Sequence, residues 1–505
     1  MFEQLSSGPC AFAQSDLTFR LTGIQIEGVP DGYDAGLRNT YADRVGREIP
    51  VGDICLIRDK IAHALLSQNL LARVEIPAQK IEDGTAKIIV EPGHFQSVVV
   101  VGEGRSIALV RSILAPLEEL RYIDLDVAQR YLLLASDLPG VEIAPVIRAG
   151  TERGGLQLEV HVRQRTMRAS LGVNNLNSKS QGRVSGYVRV DFMGLAGLGD
   201  QTSFIVSSTS DFEELQVYQI LESLHLGSNG LVLRGSATLA NGRPGGQVSV
   251  LDLRTRSFLG NVELNYPLIR HRRHNLNLAG GLDIVAQRTK AFRTIPLSDE
   301  KLRVVYARIS GNVSSRFGAR PASISGSLEV RKGLSTLGAS ENGDADLSRA
   351  DSDPQAFVLR GSANGQILLA PSVSLAVSAM GQYTADPLLS FEQLGVGNLS
   401  IGRGYDPNAV PGDRGIAGSV EARFGPFPVG STTLAPFAFY DHARTTALGA
   451  NGYSITLRSA GGGVRMNLFG PVNAAITYAH PFDTTYPGGR RASDRALFNI
   501  SAKFF

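Results

Sequence analysis

Arg403 is the residue whose type and setting point most directly to chemistry. It stands between Gly402 and Gly404 and ahead of Tyr405, in the stretch LSIGRGYDPNAVPGDRGIAGSVEARF that fills positions 399–424. Gly402, Gly404, Pro407, Pro411 and Gly412 leave no room there for a helix or a strand ladder, so the cation rides on a loop. From Arg414 the stretch alternates. Ile416, Gly418, Val420, Ala422 and Phe424 fall on one side; Ala417, Ser419, Glu421 and Arg423 fall on the other. Glu421 and Arg423 on one face, with apolar groups opposite, suit a strand between lipid and a wet lumen, with both charges facing the lumen. An arginine in such a lumen is costly unless paired, and its planar fork suits a carboxylate. Asp413, in Gly412-Asp413-Arg414-Gly415, is an acid close by in sequence.

No GxSxG elbow, HExxH, CxxC or GxxxxGK[ST] motif occurs, which argues against a serine hydrolase, a zinc protease, a redox enzyme or a nucleotide motor. No catalytic residue, cofactor or nucleotide is therefore expected. His271 and His274, in His-Arg-Arg-His, have metal-like spacing, but the arginines between them would repel a cation, so no metal is expected either. Glu341, Asp344, Asp346, Asp351 and Asp353 crowd residues 332–354 without the glycine placement or terminal glutamate of a calcium loop, and read as a solvated surface loop. A net charge of only +3 favours no nucleic-acid partner.

The elements that must position Arg403 begin near residue 166, where helical periodicity stops and short alternating segments run to Phe505. Sixteen such segments can be placed, among them 166–175, 183–192, 258–269, 302–313, 414–424, 432–441 and 495–505. An even count is what a closed bacterial barrel requires. Alternate connections are short, such as Gly470-Pro471, whereas 241–257, 288–301, 332–354, 385–413 and 482–494 are long and polar. That asymmetry belongs to outer-membrane barrels; residues 247–256 are assigned to a loop. No apolar run is long enough for a spanning helix, so any membrane crossing is by strands.

Ahead of the barrel the order β-α-α-β-β occurs twice. A strand at 19–28, helices at 34–45 and 51–68, and strands at 71–77 and 86–91 make the first copy. A strand at 96–101, helices at 105–116 and 125–135, and strands at 141–147 and 155–162 make the second. Ala11-Phe12-Ala13 followed by Gln14 reads as a leader-cleavage site, which would remove Cys10. The residues before it lack a basic and an apolar segment, as though the start codon were placed too late or the sequence trimmed. Cys55, among Ile54, Leu56 and Ile57, reads as a core thiol. The expected organisation is a residual leader at 1–13, a short segment at 14–18, small α+β units at 19–93 and 94–164, and an all-β sixteen-stranded antiparallel transmembrane barrel at 165–505.

Two POTRA-like units before a sixteen-stranded barrel resemble the Omp85 superfamily, and the count of two points to its two-partner secretion branch, the haemolysin and filamentous-haemagglutinin transporters (TpsB type). The second unit is similar to that branch in its leucine run followed by Leu138-Pro139-Gly140-Val141 and a strand. Arg403-Gly404-Tyr405 resembles the Arg-Gly-Tyr/Phe motif at the tip of the long loop between strands 11 and 12, which is 385–413 here. Phe439-Tyr440-Asp441-His442-Ala443 is similar to the Phe-x-Asp-x-Gly motif of strand 13, with Ala443 in place of the glycine. The resemblance implies that Arg403 dips into the lumen and pairs with Asp441, with Asp413 the second choice.

It also implies a function. An outer-membrane pore would recognise an unfolded exoprotein (TpsA-like) through strand edges of the periplasmic units, at Ala72, Val74, Ile76, Val141 and Ile143, and export it through the barrel. Further partners implied are outer-membrane lipid and the barrel assembly machinery. The alternatives are an Omp85-type factor that inserts other barrels, which more POTRA units would favour, and a passive porin, which would have no use for two periplasmic units and an inserted arginine.

Overall fold

A computed structural model describes residues 10, 12, 15–397, 401–450, 452–486 and 489–504. The expected cleavage site at Ala11 to Gln14, and Leu399 and Phe505 at the ends of the stretches read above, lie outside the described residues apart from Phe12. The chain forms two compact units, Met1–Gln164 with Gly227–Asn229, and Arg165–Leu226 with Gly230–Phe505.

The first unit holds the two expected copies. In the first, β1 (Thr18–Arg20) pairs with β3 (Glu48–Pro50), and β2 (Gly23–Glu27) lies parallel to β5 (Thr85–Pro92), which pairs antiparallel with β4 (Ala72–Glu75). Helix α1 (Asp53–Ser67) turns Ile54, Ile57, Ile61 and Leu65 onto that sheet, where they are buried with Leu21, Val74 and Ile88. Two expectations fail here. The strand at 19–28 is split, because Leu21 turns its N–H to the Arg47 carbonyl between β1 and β2. The helix at 34–45 is only two short 3-10 turns, since Gly36 and Gly46 sit at φ +80° and +84° and end any longer helix. In the second copy β6 (His94–Glu103) is parallel to β8 (Gly155–Gln164), with β7 (Val141–Ala149) antiparallel on the outer side. Helices α2 (Ile107–Leu114) and α3 (Leu125–Ser136) cover it; Asp124 caps α3 by accepting from the Asp126 and Val127 N–H groups. Cys55 is not a free core thiol. It forms a disulfide with Cys10, so cleavage after Ala13 would remove one half of that bond.

The second unit is a closed antiparallel barrel. Its strands are β9 (Met167–Asn174), β10 (Ser185–Met193), β11 (Gln201–Thr209), β12 (Leu215–Leu226), β13 (Leu231–Gly242), β14 (Arg254–Arg270), β15 (His274–Ala291) and β16 (Ile295–Phe317). There follow β17 (Arg320–Gly333), β18 (Phe357–Ala370), β19 (Val373–Thr384), β20 (Arg414–Phe424), β21 (Phe427–Val429), β22 (Thr432–Ala447), β23 (Tyr453–Asn467), β24 (Val472–Pro481) and β25 (Arg495–Phe504). β21 continues β20 beyond Gly425-Pro426 on the same neighbour, β22, so the walls count sixteen, and β25 closes on β9 with Asn499 opposite Asn174. The sixteen walls are those expected from alternation.

Alternation sets the faces. Ile416 and Val420 are 63% and 45% exposed on the outside, whereas Ala417, Ser419 and Glu421 are buried on the inside. Sequence reading shortened several strands. Residues 288–301 are not a loop: β15 and β16 run on to a turn at 292–294, where Phe292 and Arg293 take positive φ. Residues 247–256 hold a 3-10 helix (Gly246–Leu251) and then the start of β14. β22 runs past Asp441 to Ala447. Beyond the membrane a strand needs no apolar face, so polar sequence hides these extensions.

Candidate functional site

The connection 385–413 joins β19 to β20 and folds back against the inner wall. Its strands of contact are local at first: Leu394 and Gly412 exchange both backbone hydrogen bonds, and the Ala409 N–H reaches the Val396 carbonyl. An apolar knot of Val396, Ile401, Tyr405 and Val410 then seats on Ala417, Ala443 and Leu457 of β20, β22 and β23. Against this floor Arg403 is 3% exposed.

Its guanidinium makes four side-chain hydrogen bonds. Nε and Nη2 donate to the two oxygens of Asp441 at 3.0 and 2.6 Å, Nη1 donates to Glu421 at 2.6 Å, and Nη2 also donates to Ser419 at 2.7 Å. The backbone N–H groups of Gly402 and Arg403 add two bonds to the same Asp441 oxygen, at 3.0 and 2.9 Å. Asp441 is fully buried, and this set of donors is what compensates its desolvation. The Phe439 ring lies beneath the guanidinium, 3.5 Å from its carbon to the ring centre. Glu421 is shared: it also accepts from Arg423 at 2.6 Å and from Arg465 at 2.9 Å.

The neighbours of the arginine have separate tasks. Gly402 sits at φ +82°, a backbone shape that aims two successive N–H groups at one oxygen and that other residues adopt only with strain. A Cβ on Gly404 would lie 2.7 Å from the Ser459 Cβ and 3.1 Å from the Pro481 backbone. Gly404→Val therefore lifts the loop from the wall; the expected result is lost protease protection of residues 385–413 in an otherwise folded barrel, checked by limited proteolysis on intact cells. The Tyr405 hydroxyl donates to the Arg458 carbonyl at 2.8 Å and accepts from the Asp483 N–H at 2.9 Å. That ties the loop to the connection 482–494, where the Arg458 guanidinium holds the Asp483 carboxyl below the usual carboxylate range.

Asp413 is not near this cluster. It is fully buried and accepts from Arg349 at 2.8 Å, from the Leu388 N–H at 3.0 Å and from Gln393 at 2.9 Å. The connection 332–354, read as wholly solvated, is thus pinned at Arg349, which also donates to the Leu448 carbonyl. Its Leu347 is buried with Leu389 of the long loop. The acids Glu341, Asp344, Asp346 and Asp351 do face solvent. Nothing local in sequence signals the Arg349–Asp413 pair, because its partners come from different loops.

Sequence reading also missed Glu392. This loop carboxylate is 8% exposed and is held in a two-point grip by Arg331 of β17, at 2.9 and 2.7 Å, with Arg360 of β18 donating to it at 3.2 Å. Its backbone carbonyl accepts from Arg360 and Gln382 at 2.9 and 2.8 Å. The one available signal was a lone acid within the mostly apolar run from Leu388 to Val396.

Elsewhere, β4 and β7 are edge strands, paired on one side only within their three-stranded sheets. The side chains of Ala72, Val74 and Val141 point into the cores, Ile143 is partly buried, and Ile76 lies just past the end of β4. Any strand addition there would use backbone groups rather than those side chains. His271 and His274 stack at 4.2 Å, and His271 Nδ1 accepts from the Arg273 N–H. Among the described residues no group of three or more His, Cys, Asp or Glu could hold a metal ion.

Comparison with known proteins adds independent findings. The sequence profile of haemolysin secretion/activation protein ShlB/FhaC/HecB matches residues 154–466, and that of the ShlB-type POTRA domain matches residues 19–93. The heme/hemopexin transporter protein HuxB of Haemophilus influenzae is 24% identical over 517 residues, covering 96% of this chain and 87% of HuxB. The solved structure of CdiB from Escherichia coli superposes with a TM-score of 0.77 at 18% identity, covering 99% of this chain and 93% of that one. CdiB from Acinetobacter baumannii gives 0.68 at 16% identity, covering 100% and 92%.

Proposed function

The chain belongs to the haemolysin secretion/activation ShlB/FhaC/HecB family, and from that premise we propose that it is the outer-membrane pore of a two-partner secretion system, exporting a large exoprotein through its barrel. Its barrel lies in the outer membrane with the POTRA domains in the periplasm. The observation that carries the reading is the loop bearing Arg403, held inside the lumen by polar bonds that can be exchanged for water or for a passing chain.

In this reading an unfolded, TpsA-like partner adds to the free edges of β4 and β7 by backbone hydrogen bonding. It then enters the barrel, and the loop 385–413 moves off β20 and β22 to let it pass. No nucleotide motif is in the sequence, so direction comes from folding of the partner outside the cell. Outer-membrane lipid covers the apolar belt, and the barrel assembly machinery inserts the chain. The test is reconstitution in a Gram-negative host. Co-expression with the exoprotein from the adjoining reading frame should place that protein in the medium, and removal of this chain should leave it in the periplasm. Loss of unrelated barrel proteins on removal, with no partner retained, would overturn the reading in favour of an assembly factor.

A further inference from the structure

We propose that the inner wall of β15–β18, in the half nearest the short periplasmic turns, is the track on which an exported polypeptide enters the barrel as an extended, carboxylate-bearing chain. The proposal rests on the secretion reading above and assigns the path within it.

The strand register builds this wall from neutral polar side chains. Asn277, Ser310, Ser327 and Ser362 stand directly opposite one another across the four strands. One step nearer the short turns, Asn312, Ser325 and Asn364 repeat the pattern, and Ser314, Ser323 and Gln366 form a third row. These side chains both donate and accept hydrogen bonds, as the groups of a peptide backbone require. They carry no charge that must be desolvated and no apolar surface that would hold a segment fast. A chain sliding here exchanges one weak hydrogen bond for another. The inner wall from β22 to β25 differs: Arg465 lies 4.1 Å from the centre of the Phe437 ring, Arg403 occupies the Phe439 ring, and the neutral Asn467, Asn473, Thr477, Asn499 and Ser501 share a cavity with both arginines.

Both ends of the track are marked. At the mouth, Arg273 and Arg316 line a cavity of about 770 Å³ together with Ser314, Ser323 and Gln366. Both arginines are exposed, and among the described residues neither guanidinium has a carboxylate partner. Two unpaired cations at the start of a neutral wall complement a chain carrying aspartate or glutamate. At the inner end the neutral rows give way to Arg308, Glu329 and Arg360, next to the Glu392 grip on the loop. The track therefore leads from a cationic mouth to the latch that must open.

The test uses the purified full chain and a synthetic unfolded peptide of Asp, Gly and Ser. A photoreactive p-benzoylphenylalanine is placed singly at Ser325, Ser362 or, on the opposite wall, Asn499. Expected are crosslinks to the peptide from Ser325 and Ser362 and few from Asn499. The Lys counterpart of the peptide should crosslink weakly, and Arg273→Gln with Arg316→Gln should lower the yield about fivefold at low salt, the loss of two exposed ion pairs. Equal labelling from Asn499, or equal labelling by the acidic and Lys peptides, would overturn the track. Heat-modifiable mobility in gels confirms that each variant is a closed barrel. Failure here leaves export in the co-expression test untouched, whereas failure of that test sinks the secretion reading itself.

Discussion

Replacing Arg403 by alanine should reduce export sharply while the barrel still assembles. The substitution removes all four guanidinium hydrogen bonds, two of them to Asp441, which is fully buried. Breaking a buried pair from one side costs about 3–5 kcal/mol, because the other charge stays behind without its partner. An equilibrium between docked and released loop shifts by more than about a hundredfold for such a change. The barrel itself does not depend on the pair: β20 and β22 keep their ladder from Arg414 opposite Thr446 to Arg423 opposite Phe437. The expected result is exoprotein in the medium reduced at least about tenfold, with unchanged heat-modifiable mobility and unchanged amount in the outer membrane. Arg403→Lys should rescue little, since an ammonium cannot span both oxygens of Asp441 while also reaching Glu421 and Ser419. Normal export by the alanine variant at normal protein level would end the proposed role of Arg403.

Glu392→Ala should release the same loop at another of its tethers. Besides the bonds of Tyr405 and Asp413, the loop is held by Arg403 on β20 and β22 and by Glu392 on β17 and β18. Arg331 keeps Glu329 and Asp283 after the change, at 3.0 and 2.8 Å, so the barrel wall stays paired, while the loop loses its side-chain grip and keeps only the bonds of its 392 carbonyl there. With that compensation the cost is about 2 kcal/mol, a shift of about thirtyfold toward the released loop at this end. The expected result is higher single-channel conductance in planar bilayers and greater sensitivity of cells to antibiotics too large for ordinary porins, with the barrel amount unchanged. Conductance equal to that of the parent protein would show that Glu392 does not restrain the loop.

Much of this protein is written in local pattern. Alternation along a strand records which face meets lipid and which meets water, because successive side chains point to opposite faces. Ile416 to Arg423 therefore announce both faces of β20 before any neighbour is known. Glycine and proline in 402–412 mark a loop, and the repeated order of elements ahead of residue 164 marks two small α/β units, for similar reasons. The sequence by itself thus determined the fold class, the strand count and the place of the arginine loop.

Ion-pair partners are another matter. Arg403 lies 38 residues from Asp441 and Arg349 lies 64 from Asp413, and no spacing along the chain distinguishes these pairs from their alternatives. Register across β20 and β22, set by barrel closure, brings Ser419 opposite Asp441 and so places both beneath one guanidinium. The same closure carries Arg331 and Arg360 to Glu392, and the first small unit brings Cys10 to Cys55. Strand ends beyond the membrane, as in β15 and β16, were likewise hidden, since outside lipid the apolar face that marks a strand is no longer required. Only the tertiary structure decided which charges meet, because a charge finds its partner through space and the chain encodes that space only once it has closed.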